Sequence, residues 1–296
     1  MFDRVKYGPF LVQLAATRKC NLACGYCSEY DKVSDPVPTE TLKKSMRKLR
    51  ELGTLFLEFT GGEPMLHPDI NELIAYAKEL GFWKVMMISN AYLFTEENIK
   101  GLNRAGLDDL QVSIDGVEPN DVTVKVLKPL RRKLKTLAKL AKFRVVLNSV
   151  MGAAPGEEVL EVIDFAKEQG FSPRVQIIHD DTGQFCLRDE DKALVPQIRE
   201  RLGASFLQSG DYRTTLIETG ESKFKCRGGS RYLYVDEFSV VHWCSQTRES
   251  WGKALEDYTV ADLKEQFHTR KTCDTGCTIG CVRNQSRFDE WREQLV

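Results

Sequence analysis

Three cysteines lie close together near the start of the chain, in the segment RKCNLACGYC at residues 18–27. Thiolates bind zinc and iron–sulfur clusters well. A closed structural zinc site uses four ligands, whereas Cys20, Cys24 and Cys27 supply only three. The spacing C-x3-C-x2-C therefore predicts an iron–sulfur cube with one iron left open for another ligand. The alternative is a zinc site that a distant side chain such as His67 completes.

The elements that position this loop follow from the hydrophobic pattern of the first 180 residues. Short apolar runs predict six strands, and amphipathic stretches predict helices between them. The predicted strands cover residues 10–17, 54–64, 83–91, 108–116, 143–151 and 172–179. The predicted helices cover residues 39–53, 67–81, 95–106, 127–142 and 155–170. Strands that alternate with helices favour a parallel α/β sheet with the helices on the outside.

Polar or glycine-containing segments follow five of the predicted strands. The cysteine loop comes after the first strand, TGGEP after the second, SNA after the third, SIDG after the fourth and NSV after the fifth. In parallel sheets, ligands bind at the carboxyl ends of the strands. We therefore expect these five segments to form one site on one rim of the sheet.

The cysteine motif, C-x3-C-x-aromatic-C after a first strand, resembles the signature of the radical SAM superfamily. Tyr26 fills the aromatic position, and we count it among the residues that contact the cofactor. The segment GGEP at residues 61–64 resembles that family's second signature. The resemblance covers roughly residues 10–180 and implies an α/β fold, a partial (βα)6 TIM-like barrel. It also implies a catalytic [4Fe-4S] cluster on the three cysteines, with S-adenosylmethionine (SAM) bound to the open iron. Reduction would split SAM and yield a 5′-deoxyadenosyl radical, which abstracts a hydrogen atom from the substrate.

The same resemblance implies roles for the rim residues. We expect Glu63 and the backbone of Gly61 and Gly62 to face the ammonium group of SAM, because glycine permits close backbone approach. Pro64 lacks an N–H and stiffens the turn. The other polar rim residues have a simpler alternative role, in which they only cap helices or form Asx-type turns. Those expected to contact SAM are Ser89, Asn90, Ser113, Asp115 and Asn148.

Five further cysteines lie in the C-terminal third, where a Cys-to-Cys hairpin precedes a cysteine run. This order resembles the auxiliary-cluster extensions of radical SAM proteins, called SPASM or Twitch domains. Two cubes would need eight thiolates, so we predict one auxiliary [4Fe-4S] cluster and a spare cysteine that is a candidate hydrogen-atom donor. A four-cysteine zinc site is the alternative. We expect Cys186, outside this set, to be a small buried hydrophobe. The five cysteines are Cys226, Cys244, Cys273, Cys277 and Cys281.

The pattern changes after about residue 181, with a predicted helix at 189–203, a hairpin at 229–244 and a helix at 260–271. We therefore predict a radical SAM barrel over residues 1–185 and a small cysteine-rich auxiliary-cluster domain over residues 186–296.

Composition limits the class of protein. The 296 residues are 42% hydrophobic and carry a net charge of −1, which gives no electrostatic reason to expect a nucleic-acid partner. The N-terminal segment has no apolar region of a secretory signal, and no apolar run approaches the length of a membrane span. We therefore expect a cytoplasmic enzyme. Nine cysteines in a reducing compartment indicate metal binding or catalysis before disulfides.

The predicted reaction is oxidation of a small molecule or peptide, with the auxiliary cluster taking up an electron. An electron donor such as flavodoxin or ferredoxin would supply the reducing electron. The short N-terminal segment shows no leader-binding extension, which favours a smaller substrate. Two alternatives stay open. One is a radical epimerase that uses a cysteine hydrogen donor, and the other is a non-catalytic iron–sulfur electron carrier, which would need neither Glu63 nor the polar rim.

Overall fold

The computed structural model describes residues 2–180, 182–203 and 212–290. Six strands in the first 180 residues alternate with helices, as the hydrophobic pattern predicts. The strands are β1 Leu11–Thr17, β2 Phe56–Gly61, β3 Lys84–Ser89, β4 Asp109–Ser113, β5 Arg144–Met151 and β6 Ser172–Ile177. The helices are α1 Phe2–Tyr7, α2 Thr39–Glu51, α3 Ile70–Glu79, α4 Glu96–Ala105, α5 Arg131–Leu140 and α6 Gly156–Glu168.

The six strands are parallel and lie in sequence order, from β1 to β6. All six carboxyl ends therefore meet at one rim. This arrangement is a partial (βα)6 barrel, which confirms the predicted fold class. The side chains alternate along each strand, so that on β2 Leu57 and Phe59 are fully buried in the main hydrophobic core while Phe56, Glu58 and Thr60 are partly accessible. The outer faces of the strands pack against the helices, and the inner faces line the barrel interior.

The helix ends show why these segments stop where they do. Thr95 caps α4 by accepting from the Asn98 backbone N–H, and the Asn98 side chain accepts from the Thr95 N–H in return. Gly106 ends the same helix in a left-handed conformation with φ of 84°. The two residues thus form a reciprocal capping box with an asparagine at its third position.

The C-terminal part contains α7 Asp189–Lys192, α8 Val195–Leu202, α9 Tyr212–Thr219, α10 Val260–His268 and α11 Gly280–Arg287. The single helix predicted at 189–203 is wrong, because the structure divides it into α7 and α8. Pro196 lies in the first turn of α8, and it has no N–H to continue the hydrogen bonding of the preceding turn.

The predicted hairpin is present as β7 Tyr232–Val235 and β8 Val240–His242, which pair antiparallel. A short β9, Lys253–Ala254, pairs with β8. The strand β7 pairs parallel with β1, so a single nine-stranded sheet runs from β6 to β9. The hairpin therefore lies beside the strand that carries the cysteine loop. The division of the chain near residue 185 stays a prediction.

Candidate active site

The loop after β1 carries the first three cysteines. Backbone hydrogen bonds close it: the Cys20 N–H donates to Asp31 O over 3.0 Å, and the Cys27 N–H donates to Cys24 O over 3.2 Å. Cys24 is buried, whereas Cys20 and Cys27 are partly accessible, and all three are free thiols. Burial raises the pKa of Cys20 and of Cys27, so neither is a thiolate at neutral pH without a metal.

The GGEP turn at the end of β2 packs directly against this loop. The Gly62 N–H donates to Thr17 O over 2.8 Å, and the Glu63 N–H donates to Lys19 O over 2.9 Å. A Cβ at Gly61 would lie 2.0 Å from Thr17 O, and one at Gly62 would lie 2.2 Å from Lys19 O. Gly61 also has a φ of 119°. Glycine is therefore required at both positions, because any side chain would push the turn away from the cysteine loop.

Glu63 is nearly inaccessible, and its carboxylate ties the turn to the end of β3. It accepts hydrogen bonds from Ser89 Oγ and the Asn90 N–H, both over 2.7 Å, and from the Met65 N–H over 3.1 Å. Burial raises the pKa of the Glu63 carboxyl to about 7, although these three donors favour its charged form. The Glu63 carboxylate therefore accepts its hydrogen bonds from protein groups, and the expected contact with SAM stays a prediction.

The end of β3 reaches the cysteine loop through Asn90. The Asn90 Nδ2 donates to Asn21 Oδ1 over 2.8 Å and lies 3.8 Å from Cys20 Sγ. Asn90 and Ser89 therefore position the loop as well as the rim. Their contacts explain why polar residues follow this strand.

A second network joins the end of β4 to the aromatic residue of the cysteine motif. Asp115 is fully buried, and its Oδ2 accepts from Tyr26 Oη over 2.9 Å and from Thr123 Oγ1 over 2.6 Å. Lys125 donates to Tyr26 Oη, and its Nζ lies 3.7 Å from Asp115 Oδ2. Burial and the neighbouring Asp115 raise the pKa of Tyr26 well above its usual value. Asp115 and Tyr26 hold the pKa of Lys125 high even though burial opposes this. The other oxygen of Asp115 has no hydrogen-bond partner among the residues that the structure describes.

Two cavities open in this region. A cavity of about 120 Å³ is enclosed by the three cysteines, the two glycines and the ends of β3 and β4. The predicted residues that line it are Cys20, Cys24, Cys27, Gly61, Gly62, Ser89, Asn90 and Ser113. A second cavity of about 460 Å³ lies in the barrel interior and is lined by Tyr26 and Asn148 among others. Glu63, Pro64 and Asp115 line neither cavity. Glu63 and Asp115 instead hydrogen-bond residues that do, namely Ser89, Asn90 and Tyr26.

The alternative zinc ligand His67 is already occupied. Its Nε2 lies 2.8 Å from Val37 O, and its Nδ1 accepts from the Asp69 N–H over 3.1 Å. Both ring nitrogens are therefore bonded to the backbone, and neither is free to join the three thiols.

The C-terminal cysteines also gather in one place. Cys226, Cys244 and Cys277 are buried in a single apolar cluster, against which Cys281 packs, and Cys273 is half-buried. Burial raises the pKa of Cys226 and Cys281 to about 11 and that of Cys277 to about 12. Cys281 also lines the larger cavity. Over the described parts of the chain, no group of three or more His, Cys, Asp or Glu side chains is arranged to hold a single metal ion.

Cys186 is exposed, so the prediction that it is buried is wrong, because its segment leaves the sheet after β6 and runs along the surface. Sequence reasoning also missed Lys125, Thr123 and Glu58. Only Glu58 had a usable signal, since it alternates with the apolar residues of β2 and must face the barrel interior.

Comparison with known proteins agrees with this geometry. Residues 14–180 match the Radical SAM superfamily. The PqqA peptide cyclase of Xanthomonas campestris pv. campestris (strain 8004) is 30% identical over 293 residues, which is 96% of this chain and 73% of that protein. Among solved structures, Streptococcus suis SuiB bound to the precursor peptide SuiA covers 94% of this chain and 73% of its own, with a TM-score of 0.70 and 17% identity. The structure of anSMEcpe with bound AdoMet and the Cp18Cys peptide covers 97% and 98%, with a TM-score of 0.61 and 17% identity.

The chain belongs to the radical SAM superfamily, whose members use a [4Fe-4S] cluster and SAM. This confirms the resemblance seen in the sequence, and the protein is a radical SAM enzyme. The residues present fit these groups, because the three thiols line a cavity that the backbone of Gly61 and Gly62 also borders. None of the helices in the described ranges is both long and apolar enough to cross a bilayer.

Proposed function

We propose that the protein is a radical SAM oxidoreductase that acts on a side chain of a peptide. The observation that carries this proposal is the pair of adjoining cavities, one walled by the three-cysteine loop and one inside the barrel. The first suits a cluster and SAM, and the second suits the part of the substrate that reacts.

The proposed roles follow from the contacts. Cys20, Cys24 and Cys27 would ligate the cluster, and the glycine backbone at 61–62 with Ser89, Asn90 and Ser113 would border SAM. When the cluster and SAM are bound, reductive cleavage of SAM supplies a 5′-deoxyadenosyl radical that abstracts hydrogen from the substrate. Asp115, Tyr26 and Lys125 hold the cysteine loop against the end of β4, which keeps the radical source at a fixed position over the barrel.

A peptide substrate is favoured over a free small molecule by the relatives. One is named for a peptide substrate, and two structural neighbours are described with bound peptides. The interior cavity of about 460 Å³ falls within the usual range of small-ligand sites. This volume admits a side chain and its backbone segment, so the rest of the peptide would lie outside the barrel.

The C-terminal cysteines would hold an auxiliary iron–sulfur cluster that takes up the second electron. Three of them are buried together, and thiolates in such a setting suit either iron–sulfur or zinc. A second candidate function is epimerisation, for which Cys281 is the hydrogen-atom donor, because its side chain lines the barrel cavity. An electron donor of the flavodoxin or ferredoxin class would reduce the first cluster.

The test uses the anaerobically reconstituted protein, a chemical reductant, SAM and a perdeuterated peptide extract of the organism that encodes the chain. Deuterium in 5′-deoxyadenosine, measured by mass spectrometry, is the expected result. The variant with Cys20, Cys24 and Cys27 replaced by Ala should form no 5′-deoxyadenosine. Retained cleavage in that variant would remove the proposed site, and cleavage without any deuterium transfer from the extract would reject a peptide substrate. Release of oxidised product, rather than substrate with one solvent-derived hydrogen, distinguishes oxidation from epimerisation.

A further inference from the structure

Glu58 is a carboxylate inside the barrel that the proposed cluster and SAM sites leave without a role. It lies on the inner face of β2, lines the cavity of about 460 Å³ and remains partly accessible there. Its Oε2 accepts a hydrogen bond from Gln13 Nε2 over 2.6 Å. Among the residues that the structure describes, none forms a salt bridge with it. The carboxylate is therefore oriented by one neutral donor while its surface faces the cavity.

Gln13 connects this carboxylate to the C-terminal cysteines. Its Oε1 accepts from Tyr232 Oη over 2.5 Å and lies 4.0 Å from Cys281 Sγ. Tyr232 is fully buried. One amide thus bridges Glu58, on the cavity side, to a tyrosine and a thiol beside the cluster of buried cysteines. This bridge fixes the position of Glu58 relative to the C-terminal cysteines, which would hold the electron-accepting cluster.

The charges around Glu58 leave it able to bind a proton. The pKa of the Glu58 carboxyl is raised, chiefly by burial and also by the negative charge of Asp109. The hydrogen bond from Gln13 and the positive charge of Arg174 oppose this shift. Arg174 donates to Gln111 Oε1 over 2.8 Å, and Asp109 is bonded to Lys84 and Arg144. The titratable or charged residues that line this cavity with Glu58, or that interact with its carboxylate, are Tyr26, Lys84, Asp109, Arg144, Arg174, His179, Tyr232 and Cys281.

Other groups in the cavity indicate what the substrate presents. Within the described ranges of the chain, Asn148 Oδ1, Gln176 Oε1 and Thr278 Oγ1 are buried and have no hydrogen-bond partner, and all three residues line this cavity. Asn148 and Thr278 are more than nine-tenths buried. Amide oxygens only accept hydrogen bonds, so a matching ligand supplies N–H or O–H groups. An unmade bond at such atoms is costly, which favours a polar substrate segment here.

We propose that Glu58 is the catalytic base that accepts the proton lost by the substrate during oxidation, an inference that rests on the proposed function. After the hydrogen atom has left the substrate carbon, the adjacent N–H or O–H bond breaks and its proton moves to a Glu58 oxygen. One electron passes to an iron–sulfur acceptor held by the C-terminal cysteines. The two remaining electrons form the second bond between carbon and the nitrogen or oxygen. The product is thus oxidised by two electrons overall, counting the hydrogen atom taken by the 5′-deoxyadenosyl radical.

The experiment compares wild type with Glu58→Gln, a change that keeps the acceptor for Gln13. Both holoenzymes receive reductant, SAM and the perdeuterated peptide extract. Without the base, the substrate radical persists and takes a hydrogen atom back from 5′-deoxyadenosine. This back-transfer regenerates the 5′-deoxyadenosyl radical, which then abstracts a second deuterium from the substrate. We expect total label in 5′-deoxyadenosine to stay within about twofold of wild type. The fraction that carries two or more deuterium atoms should rise several-fold. Glu51→Gln, the same change at an exposed position on α2, should match wild type.

The pH dependence supplies the second readout. In wild type the multiply labelled fraction should fall as the pH rises through the pKa of Glu58, because only the charged carboxylate accepts a proton. In Glu58→Gln this fraction should not change with pH, and Glu58→Asp should restore the decline. If Glu58→Gln does not fold, Gln13→Leu serves instead. It removes a donor to the charged form and should move the decline to higher pH.

The outcomes separate the two proposals. A label pattern in Glu58→Gln identical to that of wild type would overturn the assignment of Glu58 as a base. Loss of all label transfer in that variant, with Glu58→Asp also inactive, would make Glu58 a substrate-binding group and also overturn it. Absence of label transfer in wild type would instead reject the proposed function.

Discussion

Replacing Gly62 with alanine tests whether the GGEP turn positions the cysteine loop. A Cβ at this position would lie 2.2 Å from Lys19 O and 2.4 Å from Arg18 O. Both contacts are with backbone, so no side chain can rotate away. The φ of Gly62 lies outside the left-handed region, so alanine fits the local backbone conformation and only the contact is unfavourable.

The size of the effect follows from these distances. The turn and the loop must separate by roughly 1 Å, which costs about 1–3 kcal/mol as overpacking. The hydrogen bonds from Gly62 N–H to Thr17 O and from Glu63 N–H to Lys19 O weaken, each worth about 1 kcal/mol. We expect Gly62→Ala to lower the free energy of unfolding by about 3 kcal/mol. Because Lys19 directly precedes Cys20, we also expect the cluster to be lost.

Urea denaturation and iron analysis measure the two effects. Gly170→Ala is the matched control, because a Cβ there would meet no atom of the described residues within 4 Å, although φ of 74° costs about 1 kcal/mol. The control should keep all of its iron, and Gly62→Ala should lose about half of it. If Gly62→Ala is as stable as the control and keeps its full iron content, the turn does not hold the loop in place.

Three further predictions concern charge and metal content. The free energy of unfolding of wild type should fall by about 3 kcal/mol as the pH rises from 4.5 to about 7, because Glu63 binds its proton more tightly in the folded state. Urea denaturation should show no such fall in Glu63→Gln, and an equal fall in that variant would show that Glu63 is not the group that titrates. Replacing Cys226, Cys244 and Cys277 with alanine should remove about four of about eight irons per chain, whereas zinc in anaerobically prepared wild type would contradict an auxiliary iron–sulfur cluster. Asp289→Ala should lower the free energy of unfolding by about 3–5 kcal/mol, because it removes the carboxylate that lies 2.7 Å from the buried Arg231 guanidinium. A decrease below about 1 kcal/mol in urea or thermal denaturation would show that this ion pair does not hold the C-terminal segment in place.

Local patterns were sufficient to predict the barrel. Each strand has its own apolar run and each helix its own apolar periodicity, so neighbouring residues largely decide where these elements lie. The helix predicted at 189–203 failed at Pro196, where a missing N–H outweighed a continuous amphipathic pattern. The pairing of β7 with β1 had no local signal, because two short strands more than 200 residues apart carry no pattern that specifies their partner.

Residue types and spacing also identified the candidate cluster loop. Three cysteines followed by GGEP one strand later define a chemical class, and eight of the predicted residues line one cavity. Which of these residues hydrogen-bond one another was not predictable from the sequence. Glu63 bonds Ser89 and Asn90 within the protein, and Asp115 bonds Tyr26 across 89 residues of sequence.

The sequence by itself determined which residues can bind metal, where the strands end and which superfamily the chain resembles, because each depends on side-chain chemistry and on neighbours a few residues apart. Only the tertiary structure decided that Glu58, Gln13, Tyr232 and Cys281 form one connected group. These residues come from four separate segments, and they meet because β1 lies between β2 and β7 in the sheet. Burial inside the barrel then sets their charge states, and burial is a property of the assembled fold.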